Sequence, residues 1–67
     1  MKVKLNKSVQ TRSVETDAEV WLAKGQEFDV VGTFNQNGDN TITDENGTYV
    51  VNGQHLDYVG EDEPDGI

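Results

Sequence analysis

The chain has 67 residues, 13 acidic against 5 basic, for a formal charge of −8, with one tryptophan and no cysteine. That length holds a single domain burying roughly 60% of its unfolded surface, so the core is small. The lack of cysteine excludes disulfide staples, a thiolate nucleophile and a Cys-based zinc site. The negative balance disfavours nucleic acids and anionic membranes, which bind proteins largely through Lys and Arg.

Met1 to Leu5 has a positive start but no apolar h-region behind it, and no apolar run approaches the ~18 residues of a membrane span. The expected location is the cytoplasm. Lys2 to Leu5 alternates, placing Val3 and Leu5 on one face. Ser8 to Ser13 is a second, weaker extended stretch around Val9 and Thr11. The segment "TDAEVWLAKG" has a helix-like start, with Thr16 as cap and Glu19 three residues on. Val20 and Trp21 are mediocre helix formers, however, and Gly25 stops the pattern early. A loop or single turn leading into a strand is expected there.

Gln26 to Phe34 is the strongest strand, with Phe28 and Val30 on one face and Val31 on the other. Asn35 to Asn40, "NQNGDN", carries the residues of tight hairpins. Asn40 to Asp44 returns with Ile42 inward, and "DENG", Asp44 to Gly47, is a second hairpin turn. Thr48 to Val51 follows, Asn52 to Gln54 breaks it, and Leu56 to Val59 closes the domain. The pattern predicts an all-β fold, a small barrel of five to six short antiparallel strands spanning residues 1–60. Residues 61–67 hold Glu61, Asp62, Glu63 and Asp65, with Pro64 and Gly66 interrupting any ladder, and are expected to form a flexible, disordered acidic tail. The expected core is Leu5, Val9, Val20, Leu22, Phe28, Val30, Ile42, Val50, Leu56 and Val59, with Val3 beside them.

Three stretches carry a family likeness. "VQTRS" at 9–13 resembles the opening strand of bacterial SH3-like (SH3b) domains. "VWLAKGQEFDVVG" at 20–32 resembles their central hairpin, V-x-x-L-x-K-G-x-x-V-x-V-x-G. "NGTYVVNGQHL" at 46–56 resembles their closing segment, with Tyr49-Val50 in the aromatic-valine slot and His55-Leu56 in the Tyr-Leu slot. The resemblance covers residues 9–59 and implies an SH3-like barrel. It carries over the fold better than the ligand: "NTIT" stands where the family has a groove-lining tryptophan strand, and Val14 to Asp17 replace a glycine-rich segment. The small, acidic, cysteine-free composition also has the look of a phage or mobile-element product.

The residues offer little for catalysis. His55 is the one histidine, with only Asp57 beside it and no serine in a glycine elbow. Carboxylate pairs such as Asp44 and Glu45 are expected by chance in so acidic a chain. Asn35, Asn37, Asp39, Ile42 and Asn46 follow calcium-loop spacing, but the position wanting a bidentate Glu is Asn46 and the flanks read as strands. A hairpin turn accounts for the segment. The glycines are spaced by hairpins, with no phosphate-cradling loop. No enzyme, cofactor or metal is expected.

The aromatics are the candidate contact residues. Strand alternation turns Trp21 outward if Val20 and Leu22 point in, and Phe34 lies past Gly32 at a hairpin mouth. The sequence thus points to a non-enzymatic module binding a protein or peptide, a basic one in view of the charge. Its contact residues would be Trp21, Phe34, Tyr49 and Tyr58, with an acidic rim of Glu19, Asp39, Asp44 and Glu45. Two alternatives are an acidic inhibitor or nucleic-acid mimic blocking a host nucleic-acid-binding protein, and a structural or assembly component. Should the aromatics instead close the ends of the barrel, they would serve packing alone.

Overall fold

The computed structural model describes residues 1–59; the expected acidic tail at 61–67 lies outside the described residues. The fold is all-β. Its strands are β1 (Lys2–Leu5), β2 (Val9–Arg12), β3 (Glu19–Leu22), β4 (Glu27–Val31), β5 (Asp39–Asp44), β6 (Gly47–Asn52) and β7 (Leu56–Tyr58), and a single 3₁₀ turn, η1 (Gly53–His55), precedes β7. The described residues hold seven strands where five to six were expected. The additional one is β3, where β-branched Val20 and aromatic Trp21 favour extended backbone and β2 offers a partner, with Thr11 opposite Val20 and Gln10 opposite Trp21.

Five strands form one antiparallel sheet in the order β6-β5-β4-β1-β7, and β2 with β3 forms a second. The hairpin of β2 and β3 folds back onto the free edge of β6. Ser13 bridges Tyr49, the Val14 N–H donates to the Thr48 carbonyl at 2.8 Å, and the Thr11 hydroxyl donates to the Val50 carbonyl at 2.7 Å. This contact curls the two sheets into a small barrel-like domain and covers much of an edge that would otherwise be open to pairing.

Local chemistry sets the turns. The β2–β3 loop is tied by Asp17 N–H to Ser13 carbonyl and Ser13 N–H to Ala18 carbonyl, and Asp17 adopts a left-handed φ of 61°. Arg12 clips this loop, donating to the Asp17 carbonyl and pairing with the carboxylates of Asp17 and Glu19 at 3.7 and 3.6 Å. In the β5–β6 turn, Asp44 Oδ1 accepts from the N–H groups of Asn46 and Gly47. Asn40 organises the Asn-rich turn: its amide nitrogen donates to the carbonyls of Asn35 and Gly38, and its oxygen accepts the Asn35 N–H.

The core comprises Val3, Leu5, Val9, Leu22, Phe28, Ile42, Tyr49, Val51 and Leu56, with Val20, Val30 and Phe34 packed against it. Burying each large member contributes about 1.5–3 kcal/mol. Val59, expected inside, is half-buried. The larger correction concerns β6. Val50 was expected inside and is 39% exposed, whereas Tyr49 and Val51 are buried. The register explains it: the hairpin pairs Asp44 with Gly47 and therefore Ile42 with Tyr49 and Thr41 with Val50. Opposed residues share a face, so inward Ile42 brings Tyr49 in and sends Val50 out.

Candidate functional site: a groove between two diverging strands

β2 and β6 meet only at one end. They are joined from Thr11 to Val14, then splay apart toward Lys7 on one side and η1 on the other. The splay opens a groove of about 400 Å³ lined by Lys7 to Thr11, Trp21, Val50 to Asn52 and His55. Alternation decides what each strand contributes. Val9 and Val51 are buried and form the floor, while Val50 and Trp21, at 39% and 68% exposed, stand at its walls.

Trp21 is held out by its register. Its neighbours Val20 and Leu22 face the core, and it lies opposite exposed Gln10. Gln10 is itself tethered, its amide donating to Glu19 at 3.3 Å. The other end of the groove is polar, with Lys7, Asn52 and half-buried His55. Its backbone is fixed there: the Asn6 N–H donates to the His55 carbonyl at 2.9 Å, and the Asn52 side chain caps η1 by accepting the Gln54 N–H.

The eight residues expected to form one contact surface are dispersed by the fold. Trp21 and Glu19 project from the outer face of β3. Asp39 lies across the ladder from Asn52 and so stands near the groove. Asp44 and Glu45 are at the far end of the same hairpin, roughly 17 Å away along β5. There they line a second cleft with Lys2, Glu27, Asp29 and Thr43. Tyr58 is exposed on the edge strand β7, opposite Val3, well separated in the sheet order from β6.

One of the expected contact residues is corrected, and a second is drawn partly inward. Tyr49 is only 6% exposed and its ring packs edge-on against Phe28, centroids 6.0 Å apart. It is a core residue. Phe34 is half-buried against the core, because β4 ends at Val31 and Gly32, at a φ of 85°, turns the chain back across the barrel. The sequence reading missed Val50, Gln10, Asn52, Lys7 and His55 as groove residues. The signal for Val50 was present, since the "DENG" turn and inward Ile42 together set the parity of β6.

Among the described residues no cluster of His, Asp or Glu is arranged to hold a metal ion, and no helix is long and apolar enough to cross a membrane. Fold and groove together define a small all-β, barrel-like domain with an aromatic-walled surface groove. No family model, curated protein or solved structure matches the chain. The likeness to bacterial SH3-like domains therefore rests on the residues at 9–13, 20–32 and 46–56 alone.

Proposed function

We propose that the protein is a non-enzymatic binding module, with an SH3-like barrel, that takes an extended segment of a protein partner into the groove between β2 and β6. The observation that carries this reading is Trp21. Leaving the chain's one tryptophan 68% exposed, on the wall of a groove floored by valines, forgoes burial worth more than that of any other residue here. Tryptophan is enriched among the anchor residues of protein interfaces, and exposed apolar surface marks such sites.

The charge favours a predominantly basic partner with an apolar residue for Trp21. Glu19 and Asp39 stand near the groove, and the net −8 raises encounter rates with cations at low salt. The acidic cleft of Glu27, Asp29, Asp44 and Glu45 adds to that field from the far end of the hairpin.

Trp21→Ala tests the reading. Partners captured from lysate by the native chain should be lost by this variant, while its melting temperature stays within a few degrees of the parent, because the side chain is in water. Undiminished capture by a folded Trp21→Ala protein removes the groove from the function. Capture that needs residues 61–67 instead would point to a tail-driven interaction.

A further inference from the structure

Three asparagines are followed by glycine: Asn37-Gly38, Asn46-Gly47 and Asn52-Gly53. Glycine has no Cβ to shield its backbone nitrogen or to restrict its dihedrals, so in each pair that nitrogen can approach the asparagine Cγ. Attack requires a side chain free to rotate and an N–H free to lose its proton. The fold withholds these conditions from two pairs and leaves them to the third.

At Asn52 both requirements fail. Its side-chain oxygen is engaged by the Gln54 N–H at 2.8 Å, and the Gly53 N–H donates to the Gly38 carbonyl at 2.9 Å from a buried position. At Asn46 the nucleophile is held: the Gly47 N–H donates to the Asp44 carboxylate at 3.2 Å, which keeps the proton on nitrogen. Asn37 is different. It is exposed, its side chain makes no hydrogen bond among the described residues, and the Gly38 N–H has only a long contact, 3.5 Å, to the Asn35 carbonyl.

We propose that Asn37 is a site of spontaneous deamidation. The Gly38 nitrogen attacks Asn37 Cγ as its proton passes to solvent. The new C–N bond closes a succinimide ring, the Cγ–Nδ2 bond breaks, and ammonia leaves. Water then opens the ring at either carbonyl, giving aspartate or isoaspartate. One ammonia is lost, one water is taken up, and no oxidant or enzyme is needed. The product carries a new negative charge two residues before Asp39. The isoaspartate form also lengthens the main chain just before Gly38, whose carbonyl holds Gly53. Since η1 carries His55 and follows Asn52, both groove residues, the modification loosens the backing of the polar end of the groove.

The test is peptide mapping by mass spectrometry of the full chain, aged at physiological temperature and mildly alkaline pH, with isoaspartate methyltransferase labelling. In the folded chain Asn37 should convert about tenfold or more faster than Asn46, whose Gly47 N–H is held by a carboxylate, and Asn52, whose Gly53 N–H is buried and held by a carbonyl, since each bond must break before attack. In urea the three rates should converge, showing that the fold sets the order. Gly38→Ala should slow Asn37 and spare the other two. It should still fold, since its Cβ would meet the Asn35 side chain only at an ordinary 3.7 Å. Conversion at Asn46 or Asn52 as fast as at Asn37 in the folded chain overturns the proposal, as does an Asn37 rate unchanged in Gly38→Ala.

Discussion

Asn40 is the most consequential polar side chain in the core, and removing it has a size that follows from its contacts. It is 3% exposed and closes three hydrogen bonds: to the Asn35 N–H, to the Asn35 carbonyl at 2.7 Å and to the Gly38 carbonyl at 3.1 Å. In Asn40→Ala the Gly38 carbonyl keeps the Gly53 N–H, but the Asn35 N–H loses its acceptor and the Asn35 carbonyl retains only the long contact from Gly38. At about 1 kcal/mol net per bond, reduced where water reaches exposed Asn35, the loss is about 2–3 kcal/mol. A domain of this length has only about 3–10 kcal/mol in total, so the melting temperature should fall by about 10–20 °C. Far-UV circular dichroism is the right probe, because Trp21 is already in water and its emission reports unfolding poorly. Asn40→Asp should fare worse at neutral pH: it keeps the acceptor for Asn35 but sets a carboxylate against two carbonyl oxygens. A shift below about 4 °C for Asn40→Ala, under 1 kcal/mol, would refute the assignment of this side chain as the organiser of the turn.

Other substitutions probe neighbouring features. Gly53 lies so close to the Asn-rich turn that an added Cβ would overlap the Asn35 carbonyl oxygen and stand 2.8 Å from the Gln36 Cα; Gly53→Ala should cost about 3 kcal/mol in urea titrations, and a neutral outcome would mean the turn does not pack on η1. The register of β6 predicts opposite outcomes for adjacent valines: Val51→Thr buries a hydroxyl and should cost about 1–3 kcal/mol, whereas Val50→Thr should be near neutral by the same melts. Equal costs would disprove the assigned parity. The ion pairs Lys2–Asp29, Arg12–Asp17 and Arg12–Glu19 are partly to fully exposed and long, at 3.6–3.7 Å, and contribute little, while a net charge of −8 repels itself. Raising sodium chloride from low to physiological concentration should therefore raise the melting temperature, and a fall would show that the ion pairs outweigh the repulsion.

Most strands were legible because their determinants are local. Val3 and Leu5 alternate with lysines, Phe28 and Val30 with acids, and the Asn-Gly and Asp-Glu-Asn-Gly stretches mark hairpins whose side chains close their own turns. Those signals lie within a few residues of each other, so the sequence by itself determined the all-β class, the hairpin positions and most of the core. It also tied the direction of Trp21 to that of Val20 and Leu22, by simple alternation once a strand forms there.

Three things depended on contacts between segments far apart in the chain. Whether residues 19–22 form a strand was decided by β2, which supplies the ladder that the extended preference of Val20 and Trp21 cannot supply alone. Whether Tyr49 or Val50 faces inward was decided by pairing with β5, since two adjacent β-branched or aromatic residues look alike until a partner fixes the parity. The groove itself has no local signature. It exists because β2 and β6, distant in the chain, pair around Ser13 and Tyr49 and then diverge. Only that divergence places Lys7, Trp21, Val50 and His55 around one space, and the same geometry sends Asp44 and Glu45 to the opposite end of the hairpin.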